Sequence, residues 1–454
     1  MLFTSTADPQ NGSGDSTQSG SDTGQSGSGS DNTQAGSSGP QDTFTHPEQL
    51  PSLSLFGDAI SHTGLTINTT AGTLAQYVSG TGAPGYWDNI STYGAGIALS
   101  QFRPGLVWVV AYNGGVNITT GFGPYNFDQL NQSANARATW NFAKRWQMRL
   151  KESYLYSDDP FAPYFSYLSQ PTPNNPNPVT YYPQAVIEQN NAEIDLTYQL
   201  SAHDVVNFSG TEGFIRYERG GYSALYNSYS YAGAAFYQHE FSARVAAGGG
   251  YQLQALDFGH GESRAGTNVF EGFVSYVFNS HVNASVWIGP ELTNTKDVVP
   301  VFCYQLGCFY EIQHSSAWSV AEGGTFHWKI TPSDVVNIQG SRGVSNVGGI
   351  LGAAYIYVLT GTWGRPLTHQ WNLAAGVTYN DSKSISEIVG KQELHSITGT
   401  VGVSRKLFNS DAWAFNAYYA FITQNQNYFG YPADISTQGF GMAIRYSWNH
   451  GLGR

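Results

Sequence analysis

From His395 to Phe408 the chain reads HSITGTVGVSRKLF, and Ile397, Gly399, Val401, Val403 and Leu407 alternate with Ser396, Thr398, Thr400, Gly402, Ser404 and Lys406. A period of two is the signature of a β-strand with one apolar face. The pattern recurs along the chain. Trp413, Phe415, Ala417, Tyr419 and Phe421 share one face of the next run, and Phe440, Met442, Ile444, Tyr446 and Trp448 share one face of the last. Upstream, Ala134, Ala136, Ala138, Trp140 and Phe142 oppose Ser133, Asn135, Arg137, Thr139 and Asn141. Ala192, Ile194, Leu196, Tyr198 and Leu200 oppose Glu193, Asp195, Thr197 and Gln199, and Phe270, Val274, Tyr276 and Phe278 oppose Glu271 and Ser275. No run of about 20 apolar residues occurs, so spanning helices are excluded.

The joints between these runs are written in a recurring phrase. HDVVNFSG at 203 to 210 returns as SDVVNIQG at 333 to 340, but the similarity fades within about a dozen residues, so a structural joint is repeated and not a domain. LTYQLSAHDVVNFSG reads as strand, tight turn at Ser201 to Asp204, and strand; FHWKITPSDVVNIQG does the same at Thr331 to Asp334. Short oxygen-bearing side chains followed by Asp are natural turn chemistry. Similar short joints are read at FAKRW, YQHEFSAR, VFNSHVN, GRPLTHQW and LFNSDAW. They alternate with long connections expected at Ser157 to Gln184, Glu218 to Ser228, Asn294 to Gln313, Gly343 to Gly352, Asp381 to Gln392 and Gln424 to Ile435. Sixteen strands follow between Gly105 and Trp448, and two more near Ser52 to Ala59 and Tyr93 to Phe102 make eighteen. An even count brings both chain ends to one side, the periplasmic one in a bacterial barrel.

Composition selects among folds built from half-apolar strands. The 454 residues are 41% hydrophobic but only 11% charged, against about 25% in ordinary soluble domains. A soluble sandwich or propeller turns its polar faces to water and carries abundant charge; a membrane barrel turns its apolar faces to lipid. The chain is therefore read as all-β, a transmembrane antiparallel up-and-down β-barrel of 16 to 18 strands. A barrel that wide commonly encloses an aqueous channel. Residues 1–50, mostly Gly, Ser, Thr, Asp, Gln and Asn, are read as a disordered, low-complexity tether, and residues 51–454 as the barrel. The formal charge of −12 speaks against nucleic-acid binding, which requires clustered Lys and Arg. MLFTSTADPQ has neither a basic n-region nor a long apolar h-region, so the numbering is expected to begin near a processed or truncated end.

The runs LTYQLSAHDVVNFSG, YQHEFSARVAAGGGYQL and VFNSHVNASVWIGPEL resemble the strand-turn-strand units of the outer-membrane β-barrel proteins abundant in acidobacteria. The likeness covers most of the chain after about residue 50 and is carried by pattern, not by a signature motif. GMAIRYSW, with Gly441, Ile444, Tyr446 and Trp448, resembles the terminal-strand signal read by the barrel-insertion machinery, although NHGLGR follows it. The resemblance implies a fold and a location: the bacterial outer membrane, with the N-terminal segment and the C-terminus in the periplasm. It transfers no catalytic residues.

The chemistry on offer lies on the polar strand faces. With those faces inward, Arg137, Arg149, Lys151, Glu193, Asp195, Glu271, Lys329 and Arg445 line the interior, either as solvated lining or as a charged screen that selects ions or orients solutes. Tyr418 and Trp287 either stack on sugar rings or fill space. Cys303 and Cys308, the only cysteines, are read as a local disulfide in a long outer loop. No HExxH, GxSxG or ligand-spaced histidine pair occurs; an enzyme, a cofactor and a metal are not expected. The leading reading is a porin-like channel for passive diffusion of small polar solutes or ions. The alternatives are a non-conducting surface or scaffolding barrel that binds a partner or polymer through its loops, and a polysaccharide-export conduit. Expected partners are outer-membrane lipid, the insertion machinery, and a periplasmic partner or peptidoglycan contacted by residues 1–50. Sequence does not choose between a monomer and a homo-oligomer.

Overall fold

The computed structural model describes residues 62–451 apart from 81–82, 122–127, 158–185, 219–226, 260–262, 305–306, 332, 346–352, 386–391, 409–411 and 429–430. These residues form eighteen strands and no helix. In chain order they are β1 (His62–Gly80), β2 (Ala83–Arg103), β3 (Leu106–Gly121), β4 (Asp128–Ala143), β5 (Trp146–Ser157), β6 (Val186–Gln199), β7 (Asp204–Glu218), β8 (Ser228–Ser242) and β9 (Val245–Phe258). They continue as β10 (Ser263–Asn279), β11 (Val282–Tyr304), β12 (Gly307–Lys329), β13 (Val335–Ser345), β14 (Ala354–Pro366), β15 (Trp371–Ser384), β16 (Glu393–Lys406), β17 (Trp413–Tyr428) and β18 (Tyr431–Gly451). Each strand pairs antiparallel with its chain neighbours, and β1 also pairs with β18, which closes the sheet. At the seam Ile67 stands opposite Ile97 on β2 and Trp448 on β18. Closure removes the free edge strands of an open sheet, as a sheet in hydrocarbon requires, except above Glu322 on β12, where the pairing with β13 ends.

The two faces have opposite character. Outward residues such as Phe208, Leu253, Phe270, Val286, Ile288 and Leu359 are exposed. Inward residues such as Gln76, Asn117, Gln189, Thr293, Asn380 and Gln424 are buried. Apolar side chains outside and polar ones inside invert the arrangement of a water-soluble protein.

The first strand among the described residues is His62–Gly80; the strand expected near Ser52 to Ala59 lies outside them, together with the expected tether. β1 was hard to read because its outward row includes Thr69, Ala71, Thr73 and Ala75, small residues with weak contrast to the opposite face. β2 contains the expected Tyr93 to Phe102 strand and begins earlier. Two stretches expected as loops are strands. β11 and β12 stay paired, through a register shift between Pro300 and Phe302, as far as Tyr304 opposite Gly307, and β17 and β18 as far as Tyr428 opposite Tyr431. Ladder hydrogen bonds hold such extensions without an apolar row, so the pattern that marks the rest of the strand stops before the strand does. Most of the other expected connections fall on 158–185, 219–226, 346–352 and 386–391, outside the described residues. The expected Cys303–Cys308 disulfide is not supported: none occurs among the described residues, and both side chains lie outside them. The backbone register places the two cysteines opposite each other near the tip of the β11–β12 hairpin.

The repeated phrase is a repeated turn. Ser201 Oγ accepts the His203 N–H at 3.1 Å and bonds the Asp204 carboxylate, while the Asp204 carbonyl accepts the Leu200 N–H at 2.9 Å. Thr331 Oγ1 accepts the Ser333 and Asp334 N–H groups at 3.2 and 3.0 Å and donates to Asp334 Oδ2 at 2.8 Å. Ser242, Asn279 and Thr368 cap their turns in the same manner. At the β2–β3 joint Pro104 precedes Gly105, whose φ of +81° suits glycine. Thr331→Val is expected to cost about 1 kcal/mol, the net worth of a typical hydrogen bond, in urea unfolding of the lipid-folded protein.

Hydrogen bonds from His239, Ser201 and Tyr237 hold the Asp204 carboxyl well below the usual carboxylate range. A lowered folded value means that its stabilisation is present above the unfolded value of about 3.9 and lost as pH falls through the folded one. Asp204→Asn is therefore expected to flatten the acid-side decline of the urea midpoint, measured from pH 7 to pH 2. An unchanged decline assigns it to other groups.

Candidate functional site

All eight charged residues expected on the lumen side share strand parity with the buried inner row. Five come together on three neighbouring strands. Arg137 on β4 stands opposite Lys151 on β5, Lys151 opposite Glu193 on β6, and Arg149 opposite Asp195. Lys151 Nζ lies 3.2 Å from Glu193 Oε1, and Arg149 Nε lies 3.9 Å from Asp195 Oδ2. Cross-strand register thus converts an alternation along one strand into a mixed-charge patch across three. The other three are dispersed: Glu271 on β10, Lys329 at the turn-side end of β12, and Arg445 on β18 opposite Thr70 of β1. Two further inner carboxylates were not singled out from sequence, Asp88 on β2 and Glu291 on β11. Glu291 fell near a stretch expected as loop, and the alternation Trp287, Gly289, Glu291, Thr293, Thr295 was the signal that could have found it.

An aromatic group occupies part of the inner wall. Phe236, Phe273 and Trp287, from β8, β10 and β11, pack together and are buried. Their rings cover glycines of adjoining strands: Phe236 lies over Gly250, Phe273 over Gly248 and Trp287 over Gly323, where a Cβ would fall within 2.1 to 2.6 Å of the ring atoms. With 3% of its surface exposed, Trp287 has no open face for a sugar and fills space. Tyr418, half-buried, covers Gly441 in the same manner.

At the end of the barrel opposite the short turns, a second apolar group changes the shape of the mouth. β12 pairs with β13 only as far as Glu322 opposite Arg342, although β12 continues alongside β11 to Gly307. The upper end of the β13–β14 pair is thereby released from the wall. Its Val344 and Ala353 join Leu256, Phe258 and Ala265 of β9 and β10 in one buried cluster, with Tyr355 and Ile385 packed against it. Leu256, Phe258 and Ala265 belong to the inner row, and β11 and β12 separate the two halves of the cluster in the sheet. The contact therefore runs inside the wall, across the mouth. Among the described residues no group of three or more His, Cys, Asp or Glu is placed to hold a metal ion.

No family model matches the chain, and no curated protein matches it. Among solved structures, the chain is similar to OpdQ of Pseudomonas aeruginosa, at 9% identity over 86% of this chain and 98% of that one, with a TM-score of 0.41. It is similar to OpdL of the same organism, at 11% identity over 87% and 100%, with a TM-score of 0.39. The ferric citrate transporter FecA in its unliganded form gives 9% identity over 85% and 78%, with a TM-score of 0.40. Likenesses at this level assign neither residues nor an activity to the chain.

Proposed function

We propose that the protein is a porin-like outer-membrane channel through which small polar solutes or ions diffuse passively, and that it is not an enzyme. One observation carries this reading. A sheet closed on itself presents exposed apolar side chains outward and polar and charged ones inward. Water does not tolerate such an exterior, and a lipid bilayer requires it. The side chains Arg137, Arg149, Lys151, Glu193, Asp195, Glu271, Lys329 and Arg445 then form the charged part of the pore lining. With the short turns on the periplasmic side, both chain ends lie there too, and β18 presents the signal for the insertion machinery. Residues 1–50 are then positioned to contact peptidoglycan or a periplasmic partner, and self-association of barrels is compatible with the apolar exterior. The Cys303–Cys308 disulfide belongs to this reading as well, because a hairpin tip on the outer side meets an oxidising medium.

Planar bilayers containing the refolded protein test the channel directly: steady single-channel steps across a range of voltages are expected. Silence from protein that is demonstrably folded and inserted contradicts the reading.

The second reading, a non-conducting surface barrel, is favoured by the apolar cluster that joins β9–β10 to β13–β14 across the mouth. The two separate on one variant. Leu256→Ser combined with Phe258→Ser removes the inner half of that cluster, and a channel narrowed there is expected to show larger single-channel steps than wild type. A scaffold stays silent in both forms.

A further inference from the structure

The inner wall carries charge of both signs, but the two signs stand at different depths. The carboxylate residues Asp88, Glu193, Asp195, Glu271 and Glu291 are between 1 and 8% exposed. Three basic residues of the same face reach further: Arg137 is exposed, Lys151 keeps 42% of its side chain exposed and Arg445 is half-buried, whereas Arg149 keeps only 13% exposed. At the turn-side rim Lys329 and Lys406 are exposed. Side-chain length explains the difference. A short acidic side chain holds its carboxylate among the strands and their neighbours, whereas a Lys or Arg stem lies along the wall and carries its head beyond it.

On β4 to β6 the buried carboxylates are also answered at close range, Asp195 by Arg149 and Glu193 by Lys151 at 3.2 and 3.3 Å. A solute passing this wall meets the ammonium and guanidinium heads before it meets a carboxylate. Three carboxylates of inner parity are more accessible, Glu240 at the turn-side end and Asp297 and Glu311 at the opposite end of the barrel, and none stands beside this group. Charges on the outer face are separated from the lumen by the wall, and those on distant connections are screened beyond a Debye length of about 10 Å at 0.1 M salt.

We infer that the channel selects anions, with Arg137 and Lys151 on β4 and β5 as the screening site and Arg149 neutralising Asp195 behind them, although the chain as a whole carries a formal charge of −12. The inference rests on the channel reading and names the solute class that reading leaves open: small anions. A low-dielectric wall focuses the field of accessible charges into the lumen. A local potential of about 1 kT favours a monovalent anion over a monovalent cation by roughly sevenfold, and surface potentials reach several kT.

The test is the reversal potential of the full-length protein in planar bilayers under a tenfold gradient of potassium chloride. Wild type is expected to show the chloride sign, with a chloride-to-potassium permeability ratio of about 7 or more. Arg137→Glu is expected to lower the ratio below 1, and Arg137→Gln to fall between the two. Arg405→Glu, on the outer face where the guanidinium lies 5.0 Å from the Trp371 ring, leaves it unchanged. The Gln variant keeps the test open if the Glu variant does not assemble, and retention of the barrel's resistance to detergent unfolding establishes folding in each case. A conducting wild type that prefers potassium or neither ion overturns the inference alone, as does an Arg137 variant that conducts with the wild-type ratio. A folded, inserted protein that never conducts overturns the channel reading and this inference with it.

Discussion

Arginine in place of Ile194 is expected to destabilise the lipid-folded protein by about 2 to 4 kcal/mol, the cost of a basic side chain near the bilayer midplane. Ile194 is exposed on the outer face of β6, and its register partners are Leu150 on β5 and Gly210 on β7. None of these offers a carboxylate, so the guanidinium must either thin the bilayer locally or reach for its surface. Glu193 and Asp195 flank it in sequence but project to the opposite face, where they cannot neutralise it. The same residue placed at Ser209, on the inner face of β7 directly across from Asp195, gains a partner and stays in the polar interior. Its cost is expected to be about 1 kcal/mol or less. Urea titration of both variants in thin lipid vesicles, followed by tryptophan emission, measures the contrast. Equal costs at the two positions contradict the assignment of faces.

Valine in place of Gly289 is expected to prevent assembly of the barrel. Gly289 lies on the inner face of β11, where the pairing with β10 lapses between Val269–Glu291 and Gly272–Ile288 without a change of register. There a Cβ would stand 1.8 Å from the Phe270 carbonyl oxygen and 2.7 Å from Glu271 Cα. Both obstacles are backbone, so no rotamer change relieves the overlap; the two strands must part, and a parted pair opens the ring. Overpacking costs of about 1 to 3 kcal/mol apply to cores that can shift side chains, and this site has none to shift. Gly266→Ala is the matched control, because a Cβ there meets nothing within 4 Å. It is expected to fold as wild type or be stabilised by about 0.4 to 1 kcal/mol through the unfolded chain. Heat-modifiable migration on semi-native gels reports assembly: lost for Gly289→Val and retained for Gly266→Ala.

The barrel was legible because lipid on one side and a polar interior on the other impose period two on every strand between the interfaces, and short turns must be built from Ser, Thr, Asn and Asp. Sixteen strands from Gly105 to Trp448 could be read on those terms. Beyond the lipid the constraint lapses, and the extensions of β11 and β12, as well as β17 and β18, looked like loops. β1 was not read from the sequence because alanine and threonine serve in its outward row as well as leucine does elsewhere.

The inner residues were legible as a face but not as a site. Alternation places Arg137, Lys151 and Glu193 inside. Only cross-strand register shows that they adjoin, and only the packing of the wall shows which heads stand proud of it. The mouth cluster was not legible, because Val344 fell in a stretch expected as a connection and Ala353 at its edge, and nothing in the sequence shows that the β13–β14 pair leaves β12. Tyr418 and Trp287 illustrate the same limit: their chemistry fits stacking on a ligand, but the glycines beneath them decide that they serve as packing.

The whole account depends on what touches each face of the strands, and spin labels placed singly along β10, from Phe270 to Tyr276 in a background lacking Cys303 and Cys308, report that contact. In lipid vesicles, accessibility to oxygen is expected to peak at Phe270, Gly272, Val274 and Tyr276, and to fall at Glu271, Phe273 and Ser275, with exclusion of a water-soluble nickel chelate from the first set. Accessibility to the nickel chelate at the first set, or no alternation at all, contradicts a bilayer-spanning barrel.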